Sequence, residues 1–270
     1  KYMVDKTLSK VCAGKTPSEI LNISIADIAC GSGIFLVEAF AFLQDYCVQW
    51  YIRNGQVNHL IETGVDLYKL PIQEKKDILC SCIYGVDIDT HAVEVAKFSL
   101  LIKLIEGETE PSVAEAIPIL PNLDDNIQYG NSLVSENELN GISDANNQMI
   151  DIAPFNWNMI NNGSSFDVII GNPPYIRWKN IEPELKDELE TNALWNKYFN
   201  SLCDYLFIFI LKSIEHLNEG GELIFICTEY WLNTTHSATL RNYMCQNGYF
   251  TEIYHFKEAP LFEKVTASFI

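Results

Sequence analysis

The sequence predicts an α/β protein with a mostly parallel β-sheet, an antiparallel edge and helices on both faces. Apolar runs of strand length alternate along the chain with longer segments at helical spacing. Turn-forming or glycine-rich residues separate them, and 48% of the 270 residues are hydrophobic, which is enough for one large core. Strands that alternate with helices pair in parallel and are covered on both faces.

The first half of the chain is predicted to hold three strands and three helices. Short apolar runs bounded by turn residues predict strands at residues 23–28, 82–86 and 126–129. Apolar residues that recur every three or four positions predict helices at residues 3–13, 34–50 and 91–104. Two polar segments interrupt this alternation, a helical and loop insertion at residues 51–80 and a surface loop at residues 135–162.

The second half adds further strands and helices. Strands are predicted at residues 166–171, 222–228, 250–256 and 265–270, and helices at residues 201–217 and 237–247. Part of the segment 201–217 would fit a strand, but its continuation at helical spacing favours a helix that stops at Glu219-Gly220-Gly221. The last two strands are expected to form the antiparallel edge of the sheet.

Composition narrows the function classes. The net charge is −18 with only 18 Lys and Arg, so this segment is not a strong general DNA binder by itself, because phosphate contacts need basic residues. Either the substrate is not nucleic acid or another domain makes those contacts. The sequence opens within a predicted helix that has no capping residue and stops within an apolar run, which favours the explanation by another domain.

No apolar run approaches the roughly 20 residues of a membrane span and no signal peptide is recognisable, which predicts a cytoplasmic protein without membrane contact. Cys80 and Cys82 lack the partners of a metal site, so no metal is predicted.

The most specific feature is Asn172-Pro173-Pro174-Tyr175, which follows the predicted strand 166–171 directly. Proline fixes φ and has no N–H, so two in succession hold the preceding carbonyls in one direction as free acceptors. The asparagine amide oxygen adds another acceptor, and the tyrosine adds a flat face. This combination suits a planar base that carries an exocyclic amino group, although an ordinary turn after a strand uses the same residue types.

Three further strand ends suggest a nucleoside site, because ligands of open α/β sheets bind beyond the carboxyl ends of the strands. Asp27 precedes a loop whose Gly31 and Gly33 allow close backbone approach to a ligand, or simply a tight turn. Asp87 ends the second strand, where a carboxylate can accept both hydrogens of a ribose diol. Asn131 follows the third strand, where its amide oxygen suits an adenine amino group. Since the loop lacks the full glycine pattern of dinucleotide binding, S-adenosylmethionine fits better than NAD or ATP.

Helix capping is the alternative role for Asp87. Asp89 is the better cap because it stands just before the next helix, and Ile88 between them is suited to lie on an adenine face.

With these residues, the chain resembles the gamma class of DNA adenine amino-methyltransferases, especially the methyltransferase part of type IIG restriction-modification enzymes. Six segments match that family's motifs X, I, II, III, IV and V in the family's order: 1–5, 27–36, 85–89, 130–133, 172–175 and 203–207. The resemblance implies a Rossmann-like S-adenosylmethionine-dependent methyltransferase fold over residues 1–270. One departure is Asn131, where many relatives carry Asp; it keeps the acceptor and removes a charge.

The resemblance also implies roles for individual residues. It implies that S-adenosylmethionine contacts Asp27, Ala29, Cys30, Gly31, Gly33, Phe35, Asp87, Ile88, Asn131, Ser132 and Phe209. It implies direct methyl transfer to the N6 amino group of a flipped-out adenine, with Asn172, Pro173, Pro174 and Tyr175 as catalytic residues. Tyr175 and Phe262 are expected to stack on that base.

Other functions share some of these features. Protein-glutamine and ribosomal-RNA methyltransferases also use Asn-Pro-Pro-Tyr, but the short stretch before motif I and the long insertion favour the DNA group. A cytosine amino-methyltransferase would more often carry Ser at Asn172, and an inactive DNA-binding scaffold would not need Asn172, Tyr175 and Asp87 together. The expected partner is double-stranded DNA, held through additional domains. A target-recognition domain is expected after residue 270, and any fused or associated nuclease lies outside this chain.

Overall fold

The computed structural model describes residues 1–109, 120–135, 153–176 and 205–256, with a few single positions between 180 and 196. The strands are β1 (Ile25–Asp27), β2 (Ile61–Gly64), β3 (Leu67–Lys69), β4 (Ile83–Asp87), β5 (Ile127–Tyr129), β6 (Asn131–Ser135), β7 (Pro154–Phe155), β8 (Phe166–Gly171) and β9 (Leu217–Phe225). The α-helices are α1 (Tyr2–Val11), α2 (Pro17–Ile20), α3 (Ile34–Arg53), α4 (Ile72–Cys82), α5 (Thr90–Ile105), α6 (Tyr205–Glu215), α7 (Tyr230–Asn233) and α8 (Ala238–Asn247).

A central sheet in the order β5-β4-β1-β8-β9 organises these elements, and every pairing in it is parallel. Successive residues of a strand point to opposite faces. Ile25 therefore packs into a core cluster with α1, α3, α4 and α5, whereas Ala26 packs into a second cluster with α6 and α8. We call these sides the α3 face and the α6 face. The predicted parallel sheet with helices on both faces is confirmed. The carboxyl ends of its strands lie along one edge of the sheet.

The segment after α3 contains a feature that was not predicted. Residues 51–80 were expected to be loop and helix, but they also form a two-stranded antiparallel hairpin of β2 and β3. The following helix α4 is not a surface element, since Ile78, Leu79 and Cys82 are buried against the sheet. The buried Lys75 ammonium bonds the Glu108 carboxylate at 2.6 Å, which ties α4 to the end of α5.

The predicted helix stop at Glu219-Gly220-Gly221 is wrong. Helix α6 ends earlier, at Glu215, and these residues lie inside β9, where the register against β8 shifts. Gly220 adopts a φ of +78°, and a side chain at Gly221 would lie 2.9 Å from the Asn218 carbonyl oxygen. The glycines therefore allow a β-bulge in β9, and β9 pairs with β8 on both sides of it.

The predicted strand at residues 250–256 is also wrong. Among the described residues this segment pairs with no strand, and it instead runs beside α1. The Lys10 ammonium bonds the Glu252 carboxylate at 3.0 Å, and the rings of Tyr2 and Tyr254 meet edge to face at 5.4 Å. The predicted strand 265–270 lies outside the described residues, so the antiparallel edge is not seen in the part of the sheet described.

The predicted surface loop at 135–162 is partly a core element. Residues 136–152 lie outside the described part, but β7 pairs with β6, and both Phe155 and Ile160 are buried. Asn, Ser and Gly dominate this stretch, and the few apolar residues at its end were not enough to predict packing. Within the described residues, no helix is long and apolar enough to cross a membrane.

Candidate active site

The glycine loop after β1 is held against the neighbouring strand and helix. The Cys30 N–H donates to the Val86 carbonyl at 3.0 Å, and the Gly33 N–H donates to the Cys30 carbonyl at 2.8 Å. Gly33 has a φ of +79°, and a side chain there would lie 2.9 Å from the Ala96 Cβ on α5. Gly31, with a φ of +52°, has no atom within 4 Å of where a Cβ would stand. The loop is therefore tightly packed at Gly33 and open toward a ligand at Gly31.

Asp87 fixes this loop from the end of β4. One carboxylate oxygen accepts the Gly31 N–H at 2.7 Å, and the other accepts the Asp89 N–H at 2.9 Å. Each oxygen keeps a second acceptor direction. The capping role belongs to Asp89, as predicted, because its carboxylate accepts the His91 N–H at 2.8 Å at the start of α5.

Two isoleucines beside this acid are unusually exposed. Ile88 is 51% exposed and Ile34, at the first position of α3, is 67% exposed. Apolar side chains at a sheet edge beside a glycine loop offer a surface for a flat ring. Ile88 was singled out from the sequence, but Ile34 was not, although its place directly after Gly33 could have indicated it.

Asp27 is a buried carboxyl at the end of β1. It is 2% exposed, and one oxygen accepts the Ala29 N–H at 3.1 Å. The pKa of this carboxyl is raised to about 7, mainly by burial; the Ala29 N–H opposes the shift and the charge of Asp87 adds to it. A side chain at Gly171 would lie 2.8 Å from the same Asp27 oxygen, so the glycine that ends β8 leaves room for this carboxyl.

Asn131 and Ser132 lie at the start of β6 and are both buried. The Asn131 amide oxygen, expected to face an adenine, accepts the Leu133 N–H at 3.1 Å. Its side-chain nitrogen is a buried donor that has no hydrogen-bond partner among the residues described. The Ser132 hydroxyl donates to the Ile28 carbonyl at 2.6 Å and thereby ties β6 to the end of β1.

The segment Asn172-Pro173-Pro174-Tyr175 leaves β8 at the same edge of the sheet. The Tyr175 hydroxyl contacts two acceptors, the Asn172 side-chain oxygen and the Ile226 carbonyl, the latter at 2.8 Å. The tyrosine ring packs against the core of the α6 face, and burial raises the pKa of its hydroxyl. The Ile226 N–H in turn donates to the carbonyl of Gly171 at 3.2 Å, so the residues after β9 support the segment from the side.

The remaining predicted residues differ in burial and in the core they pack against. Phe209 is 5% exposed within α6 and its ring meets the Tyr205 ring edge to face at 5.4 Å, so it is a core residue of the α6 face. Phe35 is half-buried and packs against the core of the α3 face. The Cys30 thiol is buried, which raises its pKa. Phe262 lies outside the described residues.

Sequence reasoning missed the contribution of the residues after β9. Ile226 supplies the carbonyl that holds Tyr175, and the buried Cys227 follows it. Their position at the carboxyl end of a predicted parallel strand was the available signal. Among the described residues, no group of three or more His, Cys, Asp or Glu side chains is arranged to hold a metal ion.

These features together define a class of protein. A fixed glycine loop follows β1, an acidic residue ends β4, and Asn-Pro-Pro-Tyr follows β8 at the same edge of the sheet, which is the arrangement expected of amino-methyltransferases. The family model described as Eco57I restriction-modification methylase matches residues 81–262, and the chain belongs to that family. The predicted resemblance is thereby confirmed.

Curated relatives agree with this assignment. The type II restriction enzyme and methyltransferase RM.Eco57I of Escherichia coli is 36% identical over 98% of this chain and 26% of its own length. The type II methyltransferase M.HincII of Haemophilus influenzae is 50% identical over 39% of this chain and 21% of its own length. The chain thus spans about a quarter of the length of the relatives it matches.

Solved structures share the fold. The type IIL restriction-modification enzyme MmeI, solved in complex with DNA, superposes with a TM-score of 0.54 at 15% identity over 93% of this chain and 31% of MmeI. A putative class I S-adenosylmethionine-dependent methyltransferase of Listeria monocytogenes gives a TM-score of 0.54 at 17% identity, over 99% of this chain and 57% of that protein. At these identities the likeness shows the fold, and it confirms the predicted fold class.

Proposed function

We propose that this chain is the catalytic part of a restriction-modification DNA methyltransferase that transfers a methyl group from S-adenosylmethionine to the N6 amino group of a flipped-out adenine. The observation that carries the proposal is the position of Asn172, an amide acceptor at the end of β8, on the strand next to the one that ends in Asp27. Membership of the Eco57I restriction-modification methylase family supports the proposal.

The residues at the carboxyl ends of the parallel strands fit an adenosyl cofactor. Asp87 has spare acceptor directions for a ribose diol, Ile88 offers an exposed apolar face, and the orphaned Asn131 nitrogen offers a donor for a ring nitrogen. The open side of Gly31 allows close approach to the backbone. When bound, S-adenosylmethionine supplies a methyl group activated by a sulfonium.

The chain's own residues prepare the adenine amino group for attack. Its nitrogen is a poor nucleophile because its lone pair is delocalised into the ring. In the proposed mechanism the Asn172 amide oxygen and the Pro173 carbonyl accept the two amino hydrogens, which localises the lone pair. Positioning of this kind contributes several kcal/mol and at most about 7 to 11 kcal/mol. No strong base is needed if the proton leaves after the methyl group has arrived.

The target base must leave the duplex to reach Asn172. Flipping costs a few kcal/mol. Stacking on Tyr175 would stabilise the flipped base by about 1 to 3 kcal/mol, as in proteins that bind single-stranded nucleic acids. Pro173 and Pro174 fix the direction of the segment, since both lack an N–H and have a restricted φ.

DNA binding is proposed to depend on polypeptide beyond this chain. A net charge of −18 opposes close approach to phosphates. The relative RM.Eco57I is named as both a restriction enzyme and a methyltransferase, and the chain covers 26% of it. A target-recognition domain after residue 270 and a fused or associated nuclease stay predictions.

Methylation-sensitive sequencing of DNA from cells that express the full-length protein tests the proposal. We expect N6-methyladenine at one recognition sequence with the parent and none with Asn172→Ala. Calorimetry should show S-adenosylmethionine binding to the variant near the parent value. Modified cytosine, the absence of any modified base with the parent, or normal methylation by Asn172→Ala would refute the mechanism.

A further inference from the structure

The outer side of α5 exposes a row of large apolar residues. Val95, Phe98, Ile102 and Ile105 are 48%, 64%, 49% and 38% exposed. Their spacing of three and four positions places them on one face of the helix. The row spans about 15 Å at 1.5 Å per residue. We call these four side chains the α5 stripe.

The opposite side of α5 is also apolar. Val93, Ala96, Leu100 and Leu104 are buried against the sheet on the α3 face. A helix that covers a sheet with one side and meets water with the other normally has a polar outer side, whereas a helix apolar on both sides is normally covered on both. The α5 stripe is therefore a contiguous apolar surface of the kind that marks an interaction site.

The rim of the stripe carries more acidic than basic side chains, and the acidic ones are the more exposed. The side chains of Glu94, Asp124 and Glu106 are 73%, 66% and 64% exposed. The lysines among them are less exposed and already paired: Lys97 bonds both Glu94 and Asp124, and Lys103 bonds Glu106. The surface thus presents a hydrophobic strip whose border holds three carboxylates and two lysines in ion pairs, an excess of one negative charge.

This charge distribution selects the occupant. The net charge of −18 would repel both the phosphates of a nucleic acid and a second copy of this chain. A partner with lysine or arginine beside its own apolar face would be attracted. Helices with apolar residues at alternating three and four spacing pack side by side on such strips.

We infer that the α5 stripe docks a basic amphipathic helix that belongs to polypeptide of the same protein outside this chain. The share of RM.Eco57I that this chain leaves uncovered, about three quarters, provides room for such a helix. A basic helix at this place would also offset the acidic charge of the methyltransferase part. The stripe begins close to the site, because α5 starts at the Asp89 cap beside Asp87. The inference does not depend on methyl transfer.

Thiol labelling of the full-length protein tests this inference. Phe98→Cys places a thiol in the stripe, and Val65→Cys places one at an 89% exposed apolar position between β2 and β3, which is not part of the stripe. We expect a maleimide reagent to modify position 98 rapidly in the 270-residue chain and at least about tenfold more slowly in the full-length protein, with position 65 equally fast in both. Raising the salt concentration to about 0.5 M should speed the slow reaction by screening the rim charges.

Each other outcome overturns the inference. Equal rates at position 98 in the two proteins would show that nothing covers the stripe. Protection in the 270-residue chain that grows with its concentration would indicate a second copy, and protection independent of concentration would indicate another segment of the same chain. Circular dichroism checks that Phe98→Cys is folded, and Ile102→Cys repeats the measurement if it is not.

Discussion

The hydroxyl of Tyr175 hydrogen-bonds to the side-chain oxygen of Asn172, the acceptor that the proposed mechanism assigns to the adenine amino group. The same hydroxyl contacts the Ile226 carbonyl at 2.8 Å. A phenol has one hydrogen, so it donates to one of these acceptors at a time. In the proposed mechanism Asn172 is therefore satisfied until a base arrives, and the Tyr175 hydroxyl then donates to the Ile226 carbonyl instead.

Tyr175→Phe removes the hydroxyl and keeps the ring, so it distinguishes the contributions of the two groups. The ring that is proposed to stack on the base remains, so we expect kcat and KM for DNA within about fivefold of the parent, since a neutral hydrogen bond is worth about 1 kcal/mol. Tyr175→Ala should instead raise KM by about 5- to 150-fold through lost stacking. Steady-state methylation of an oligonucleotide with the recognition sequence measures both. Equal damage by the two variants would show that the hydroxyl, and not the ring, is the essential part.

Asp87 and Asp89 are close in sequence but have different roles. Asp87→Ala leaves the Gly31 N–H without its acceptor and removes the proposed ribose ligand, so we expect S-adenosylmethionine affinity to fall by at least about tenfold, because bonds to charged groups are worth about 1.5 to 3 kcal/mol each. Isothermal titration calorimetry measures this loss.

Asp89→Ala is the matched control for Asp87→Ala. It removes only the cap of α5 and should lower the free energy of unfolding by about 1 kcal/mol with little change in cofactor affinity. If both variants bind the cofactor equally well, Asp87 is not a cofactor ligand.

The strand ends were predictable because a parallel sheet brings them to one edge whatever the details of packing. Asp27, Asp87 and Asn172 were placed there from the sequence by that rule alone. The rule cannot say which way a side chain turns once it is there. Ser132 is an example, because its hydroxyl donates a hydrogen bond to the Ile28 carbonyl inside the protein. Phe209 was assigned by resemblance and lies in the core.

The elements that were missed depend on contacts distant in sequence. The hairpin of β2 and β3 is mostly exposed, so it has no buried alternation that would predict strands. The bulge at Gly220 forms only because β9 runs beside β8. The stretch 250–256 has a strand-like composition, but its Glu252 and Tyr254 side chains contact residues of α1. Local pattern gives no information about these partners.

Gly171 is expected to tolerate no larger residue. Gly171→Ala would place a Cβ 2.8 Å from the Asp27 carboxyl oxygen, so the carboxyl or the strand must shift. Overpacking of this kind costs about 1 to 3 kcal/mol, which urea unfolding would detect. Gly248→Ala is the matched control, because the nearest atom to its Cβ is 3.8 Å away. Equal stability of Gly171→Ala and the parent would show that Asp27 does not need this space.

Asp27 should make the stability of the protein fall as the pH rises toward neutrality. Burial raises the pKa of its carboxyl from 3.8 to about 7, so the folded state holds a proton that the unfolded state has lost. Folding is then favoured below the unfolded pKa, and this contribution is lost as the pH rises through about 7.

Asp27→Asn removes this titration while keeping an oxygen for the Ala29 N–H. Relative to the parent, the variant should gain up to about 4 kcal/mol of unfolding free energy at pH 8 and almost nothing near pH 4. Urea unfolding of both proteins across this range measures the difference, and the other titrating groups cancel in it. A difference that does not change with pH would mean that the pKa of Asp27 is the same in the folded and unfolded states.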